Sequence, residues 1–165
     1  MPLALDLSGF EILVVDDDPT FRRILHRTLT ELGARVTEVE AGARGVVELK
    51  RAREEGSPYQ AIFLDTTLAG VNGFEIAALL REHPQELRRV ILVLGPEIHP
   101  SELSRASEIG VGGHLVKPLN RPDLVRTLAA VTGAPEVVRE PAPGSPRVRI
   151  LLAEDSSDSR QIIRH

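Results

Sequence analysis

The chain has 165 residues, of which 42% are hydrophobic and 27% are charged, a composition typical of a soluble protein with one well-buried domain. The formal net charge of −4 argues against nucleic acid as a partner of this domain, because binding to phosphates requires clustered cations. The sequence has no apolar run of the ~18 residues that cross a membrane, and its start lacks the features of a signal peptide, so a cytoplasmic location is expected. The absence of cysteine excludes disulfides, thiol catalysis and cysteine-based zinc sites.

Short runs that are largely apolar recur along the chain and predict buried strands, as in a parallel sheet. These predicted strands are residues 11–15, 34–39, 61–65, 90–94 and 113–117. Patterns of helical period follow each of them and predict helices at residues 19–32, 41–55, 73–83, 101–109 and 120–132. Strands and helices that alternate with short connections predict an α/β fold, with a parallel sheet covered by helices on both faces.

The sequence predicts one complete domain at residues 11–132, preceded by a lead-in at residues 1–10. Residues 133–147 contain four prolines and no apolar periodicity, which predicts a semi-extended linker. Residues 148–165 then repeat the pattern of residues 11–25, with an apolar strand, an acidic pair and an amphipathic helix. A single strand and helix cannot bury a core, so we expect this chain to be a fragment of a longer protein.

Acidic side chains follow two of the predicted strands, at the point where each strand ends. Asp16 and Asp17 come directly after the first strand, Asp65 ends the third, and Lys117 ends the fifth. Because the carboxyl ends of parallel strands meet at one edge of a sheet, where ligands bind in open α/β sheets, we expect these four side chains to converge in one pocket.

Three carboxylates in one pocket require a counter-charge if they are all to remain ionised. A hard divalent cation meets that need, and Mg²⁺ favours carboxylates, waters and a phosphate oxygen as ligands. Lys117 adds a mobile positive charge that suits a phosphoryl oxygen. The set therefore predicts a carboxylate nucleophile that accepts a phosphoryl group as an acyl phosphate.

Simpler interpretations exist for each member of this set. A lone carboxylate after a strand often caps a turn, as we expect of Asp18 before Pro19, and a lone lysine is more often a solvated surface residue. A phosphatase that forms an aspartyl phosphate would require a second acid two residues after the nucleophile, where Thr67 stands. A nucleotide hydrolase would require a glycine-rich loop followed by Lys-Ser or Lys-Thr, which the sequence lacks.

The motifs around these residues resemble those of response-regulator receiver domains. The resemblance covers residues 10–132 and rests on the segments Val14-Val15-Asp16-Asp17-Asp18-Pro19, Phe63-Leu64-Asp65, Asn72-Gly73 and Leu115-Val116-Lys117-Pro118. It implies a flavodoxin-like, doubly wound sheet of five parallel strands in the order 2-1-3-4-5.

The resemblance also implies roles for the residues of the pocket. Asp65 would accept a phosphoryl group from a phosphohistidine, and Mg²⁺ would be bound by Asp17, Asp65 and the backbone carbonyl of Thr67, with Asp16 acting largely through water. Lys117 would pair with Asp65 and then with the phosphoryl group, through a cis peptide bond to Pro118. Such a domain is a signalling module of bacterial two-component systems, whose catalysis is limited to its own phosphorylation and dephosphorylation.

The implied partners are a histidine kinase or a histidine phosphotransfer protein, and the implied dimer face is the fourth helix with the fifth strand. Residues 148–165, with the acidic pair Glu154 and Asp155, resemble the opening of a second receiver domain. Tandem receivers occur in hybrid histidine kinases and multi-receiver regulators, so other regions of the whole protein could attach it to a membrane.

Three positions depart from the family pattern. Gly95 stands where the family has a serine or threonine whose hydroxyl follows the phosphoryl group, and its backbone can offer only an N–H. His114 replaces the aromatic switch residue; a partly exposed strand residue is the interpretation we favour over a pH switch. Ala69 replaces a proline and leaves its loop less rigid.

These changes predict an intact phosphoryl acceptor with an altered readout, as in a relay or a phosphate sink. The alternative is a docking or dimerisation module that does not depend on phosphorylation.

Overall fold

The computed structural model describes residues 3–138, in which five parallel strands form the main sheet. Their spatial order is β3-β2-β4-β5-β6, which is the predicted order 2-1-3-4-5 with one extra strand, β1, counted before it. The strands are β2 (Glu11–Val15), β3 (Arg35–Val39), β4 (Ala61–Asp65), β5 (Val90–Leu94) and β6 (Gly113–Val116). The predicted flavodoxin-like fold is therefore confirmed.

Helices follow the strands and cover both faces of the sheet. Within the described residues they are α1 (Pro19–Glu31), α2 (Gly42–Glu54), α3 (Gly73–Leu79), α4 (Pro84–Leu87), α5 (Pro100–Ile109) and α6 (Arg121–Thr132). Leucines of α1 and α6 pack on one face, and residues of α2, α3 and α5 pack on the other. Strand β4 lies in the middle of the sheet and is buried at every position, because each of its faces meets one of these two helical layers.

The sequence predicted one helix for residues 73–83, and the structure divides that segment. The α-helix ends at Leu79, a 3₁₀ turn covers Leu80–Glu82, and the short helix α4 begins at Pro84. The break falls before the proline, where His83 has φ −128° and ψ 72°, because a residue that precedes proline is disfavoured in the α-helical conformation.

A second, two-stranded antiparallel sheet joins the two ends of the described chain. Strand β1 (Leu3–Leu5) pairs with β7 (Glu136–Val138), with Leu5 opposite Glu136. The side chains of Leu5 and Leu7 are buried among those of α1, α6 and the sheet. The predicted lead-in and the start of the predicted linker thus contribute to the folded unit, which the sequence did not indicate because strands of three residues show no clear alternation.

Two further predictions concern membranes and the C-terminal repeat. None of the described helices is long and apolar enough to cross a membrane. The proposed second acidic pair, Glu154 and Asp155, and the rest of residues 139–165 lie outside the described residues. The division of the chain into a receiver, a linker and a second receiver remains a prediction.

Candidate functional site

The carboxyl ends of the central strands form the floor of the candidate site. Strand β2 runs into Asp16 and Asp17, while β4 ends at Asp65 and lies beside it in parallel register, with Val15 opposite Leu64. On the other side of β4, strand β5 leads to Gly95, and β6 beyond it leads to Lys117. Parallel pairing thus brings residues that are far apart in sequence to one edge, as the sequence predicted.

The three carboxylates meet at this edge with different degrees of burial. Asp16 and Asp65 are each only 1% exposed, whereas Asp17 is exposed. One carboxylate oxygen from each of the three lies within 4.8 Å of the others. The site is therefore buried where Asp16 and Asp65 lie and accessible from solvent at Asp17.

Each buried carboxylate has one oxygen that accepts hydrogen bonds from its own loop. Asp16 Oδ1 accepts from the backbone N–H of Asp18 at 2.8 Å. Asp65 Oδ1 accepts from Thr67 twice, from the backbone N–H at 2.9 Å and from the hydroxyl at 2.8 Å. The other oxygens, Asp16 Oδ2 and Asp65 Oδ2, have no well-directed hydrogen bond within residues 3–138 and are neutralised only by the charge of Lys117.

Lys117 supplies the counter-charge of the site. Its ammonium nitrogen lies 2.9 Å from Asp16 Oδ2 and 3.5 Å from Asp65 Oδ2. The peptide bond from Lys117 to Pro118 is cis, as the resemblance implied. The side chain is 20% exposed, so the ammonium remains reachable from solvent.

Burial and the neighbouring charges shift the pKa values of Asp16 and Lys117. Burial raises the pKa of Asp16 to about 6, although the hydrogen bond from Asp18 and the charge of Lys117 oppose the change. For Lys117, burial acts to lower the pKa, but the close ion pair with Asp16 and the charge of Asp65 outweigh it and raise the pKa above its usual value. A single lysine therefore compensates the acidic cluster incompletely.

This donor set fits a hard divalent cation such as Mg²⁺. The fit rests on the two buried oxygens without directed hydrogen bonds, on the exposed carboxylate of Asp17 beside them, and on the oxygen-only chemistry of the cluster. A divalent cation would relieve the repulsion that Lys117 leaves uncompensated, while the exposed side would let it keep several waters.

Two loop residues next to the site cap the helices that follow them, as the sequence predicted for Asp18. Asp18 caps α1 by accepting a hydrogen bond from the backbone N–H of Thr20 at 3.0 Å, so it is a cap and not a member of the cluster. Asn120 caps α6 by accepting from the backbone N–H of Asp123 at 2.8 Å. These caps fix the starts of the helices that follow the two sides of the site.

The three atypical positions lie on the strands and loops that lead to or from this site. Gly95 follows β5 beside Thr67, and a β-carbon added to Gly95 would lie 3.5 Å from the Thr67 methyl carbon, an ordinary contact. His114 lies on β6 with its side chain exposed, in keeping with the interpretation as a surface strand residue. Ala69 is exposed in the loop after β4.

Two side chains support the site in ways that the sequence did not indicate. The ring of Phe21 lies under the Lys117 ammonium, with 4.2 Å between the nitrogen and the ring centroid. The Arg22 guanidinium donates a hydrogen bond to the backbone carbonyl of Asp16 at 2.6 Å, and its Nε lies 3.7 Å from Glu38 Oε1. Both residues occupy the first turn of α1, and only their position just after the acidic pair could have suggested a role.

The family model of the response regulator receiver domain matches residues 12–129. The chain belongs to this family. It is therefore a receiver domain of two-component signalling. Receiver domains of such systems interact with histidine kinases or phosphotransfer proteins.

Curated relatives include both regulators and kinases. The transcriptional regulatory protein TcrA of Mycobacterium tuberculosis is 33% identical over 135 residues, which are 82% of this chain and 51% of TcrA. Probable histidine kinase 2 of Oryza sativa is 28% identical over 136 residues, covering 76% of this chain and 13% of the kinase. The chain thus spans about half of one relative and a small part of the other.

Solved receiver domains have the same fold. The receiver domain of the Pseudomonas aeruginosa sensor histidine kinase PA1611 is 28% identical, with a TM-score of 0.64 over 76% of this chain and 99% of that domain. That crystal structure contains a magnesium ion coordinated in the active site cleft. The chemotaxis protein CheY4 of Vibrio cholerae is 26% identical, with a TM-score of 0.64 over 74% of this chain and 98% of CheY4.

Proposed function

We propose that this receiver accepts a phosphoryl group on Asp65 from a phosphohistidine. The observation that carries the proposal is the state of the Asp65 carboxylate, which is buried at the end of the central strand. Thr67 holds one of its oxygens by two hydrogen bonds, while the other oxygen has only the Lys117 ammonium, at 3.5 Å, as a partner within residues 3–138. An oriented carboxylate with one oxygen available beside a cation is suited to in-line attack on phosphorus.

In the proposed transfer, a bond forms between an Asp65 carboxylate oxygen and phosphorus as the phosphorus–nitrogen bond of the donor breaks. The histidine keeps the electron pair of that bond and takes up a proton from solvent. The Lys117 ammonium already lies between the two buried carboxylates, so it can contact the negative oxygens of the transferred group without a large movement. Its role is electrostatic, since it stabilises charge that develops during the transfer.

Asp16, Asp17, Asp65 and the backbone carbonyl of Thr67 would hold Mg²⁺ in this receiver. The bound cation would neutralise charge on the carboxylates and on the phosphoryl oxygens. The grouping of the three carboxylates supports this assignment, and so does the magnesium ion in the related receiver of PA1611.

The proposal extends to the partners and the output. The phosphoryl donor would be a histidine kinase or a histidine phosphotransfer protein, in line with the kinases among the relatives. Gly95 and His114 would make the output atypical, as expected of a relay or phosphate sink. Residues 148–165, with Glu154 and Asp155, would form the start of a second receiver domain. Dimerisation through α5 and β6 remains a prediction, and so does a cytoplasmic location.

The test is intact-mass measurement after incubation with Mg²⁺ and acetyl phosphate. We expect a gain of one phosphoryl group that depends on Mg²⁺ and is absent in Asp65→Asn, a variant that keeps the size of the side chain. Glu54→Gln is a matched control, because it also removes one carboxylate, at the exposed end of α2, but leaves the cluster complete.

Some acceptors use only protein donors, so the assay is repeated with a phosphorylated histidine phosphotransfer protein. If neither donor labels the wild-type receiver, or if Asp65→Asn is labelled equally, the proposal is wrong. Partner binding that is unchanged in Asp65→Asn would then favour the alternative, a docking module that works without phosphorylation.

A further inference from the structure

The loop after β4 carries two threonines whose hydroxyl groups have different partners. Thr66 is buried, and its hydroxyl donates to the backbone carbonyl of Val93 at 3.3 Å, which ties the loop to β5. The Thr67 hydroxyl donates instead to Asp65 Oδ1 at 2.8 Å. Thr67 thus contributes a hydroxyl in direct contact with the carboxylate that we propose as the phosphoryl acceptor.

The side chain of Thr67 lies beside the position that lacks a hydroxyl. Gly95 directly follows β5 and has no side chain, and the methyl carbon of Thr67 is 3.5 Å from the point where a Gly95 β-carbon would stand. Thr67 is exposed, so its side chain has room to turn on the solvent side of the site. The two positions are therefore adjacent, and only Thr67 carries a hydroxyl.

We propose that the Thr67 hydroxyl takes over the phosphoryl-contacting role that residue 95 cannot perform in this chain. Before transfer it donates to the Asp65 carboxylate. After transfer, the charge resides on the phosphoryl oxygens, which are stronger acceptors than the carbonyl oxygen of the acyl phosphate, and the hydroxyl turns to donate to one of them. Gly95 leaves the space beside the Thr67 methyl group open for that turn. This inference rests on the proposed function of Asp65.

The proposal assigns a phosphoryl-contacting role to one hydroxyl group, which substitutions that change a single heavy atom can test. Thr67→Val keeps the β-branched shape and the backbone carbonyl but removes the hydroxyl, while Thr67→Ser keeps the hydroxyl and removes the methyl group. Rates of phosphoryl gain from acetyl phosphate and of phosphoryl loss after donor removal are measured by intact mass. The Mg²⁺ dissociation constant and the melting temperature are measured for each variant.

We expect Thr67→Val to gain the phosphoryl group about tenfold more slowly than the wild type, because the hydroxyl donates more strongly to the phosphoryl oxygens in the transition state than to the Asp65 carboxylate before transfer. Thr67→Ser should remain within about twofold of the wild-type rate, because it can make the same hydrogen bond. The Mg²⁺ dissociation constant should be the same in all three proteins, since the backbone carbonyl is unchanged. A structural effect of the valine would instead lower the melting temperature or weaken Mg²⁺ binding.

A double variant tests whether the two positions are exchangeable. Serine at position 95 fits, because its β-carbon would make an ordinary contact with the residue-67 side chain. We therefore expect Gly95→Ser to restore most of the rate when it is added to Thr67→Val. Failure of this rescue would overturn the exchange of roles between residues 67 and 95.

The proposed function and this inference fail in different ways. If the wild type never gains a phosphoryl group from either donor, the proposed function itself is wrong. If the wild type is phosphorylated and Thr67→Val matches it in both rates, Asp65 is an acceptor and the role of the Thr67 hydroxyl is disproved.

Discussion

The ammonium nitrogen of Lys117 lies 4.2 Å from the centroid of the Phe21 ring and also forms the ion pairs with Asp16 and Asp65. Phe21 is half-buried in the first turn of α1 and packs against the layer that α1 and α6 form on the sheet. The ring therefore contacts a long, flexible side chain whose position decides whether the acidic cluster is neutralised. A cation–π contact of this kind favours the charged, inward-facing lysine.

We expect Phe21→Leu to slow phosphoryl gain on Asp65 by about two- to tenfold, because a cation–π contact contributes ~0.5–1 kcal/mol or more. Leucine keeps the apolar contact with the α1 layer but has no ring face for the ammonium. Phe21→Tyr keeps the ring and is the matched control. The measurement is the rate of mass gain from acetyl phosphate; equal rates for the leucine and tyrosine variants would show that the ring does not position Lys117.

A second expectation concerns the contact between α2 and the loop that follows the acceptor strand. A β-carbon on Gly42 would lie 1.7 Å from the backbone carbonyl oxygen of Val71, so only glycine allows this approach. Gly42→Ala should lower the free energy of unfolding by about 1–3 kcal/mol or more, because the loop or the helix must shift. The loop from Asp65 to Val71 should also shift away from α2.

Gly95→Ala is the control for this substitution, since its β-carbon meets only an ordinary contact. Chemical denaturation of the two variants and the wild type gives the comparison. If Gly42→Ala and Gly95→Ala are equally stable, the close approach of α2 to the loop is wrong.

The sequence predicted the parallel sheet and most helices because the buried strands are apolar along most of their length. It also predicted that Asp16, Asp17, Asp65 and Lys117 would share one edge, since parallel strands bring their carboxyl ends together, and the structure brings these side chains together. That Asp65 is the acceptor and that Mg²⁺ binds there remain predictions.

Features that depend on tertiary contacts could not be predicted in this way. Phe21 has the spacing of an ordinary core residue of α1, and nothing in its local sequence distinguishes a ring that contacts Lys117. The same holds for the hydroxyl of Thr67, because its proposed role depends on the absence of a side chain at the neighbouring Gly95. The β1–β7 sheet was missed because each strand has three residues and pairs with a segment at the other end of the domain.

The buried leucines next to β1 predict that the first ten residues stabilise the domain. Leu7 is 0% exposed, and its backbone N–H donates to the carbonyl of Leu32 at 2.8 Å. Leu7→Ala should lower the free energy of unfolding by about 2–5 kcal/mol, the range for a buried leucine. Ile24, which is 60% exposed on α1, provides the control, and Ile24→Ala should change stability by about 0.5 kcal/mol or less. Equal effects in thermal or chemical unfolding would show that residues 1–10 are only a lead-in.

The last expectation concerns the cation. Asp17 is the exposed member of the acidic cluster, so Asp17→Asn should leave the fold intact while it removes one carboxylate from the proposed Mg²⁺ site. Mg²⁺ should raise the melting temperature of the wild type, because a ligand that binds only the folded state stabilises it, and this rise should be largely lost in Asp17→Asn.

Asp18→Asn is the matched control for that experiment. It removes a charge one residue further along, but asparagine caps a helix as well as aspartate does, so α1 should keep its start at Pro19. We expect Asp18→Asn to keep nearly the whole Mg²⁺-induced rise in a thermal-shift titration at constant ionic strength. A rise of the same size in Asp17→Asn would mean that Mg²⁺ stabilises the domain through general screening, and that the cluster of Asp16, Asp17 and Asp65 does not bind it.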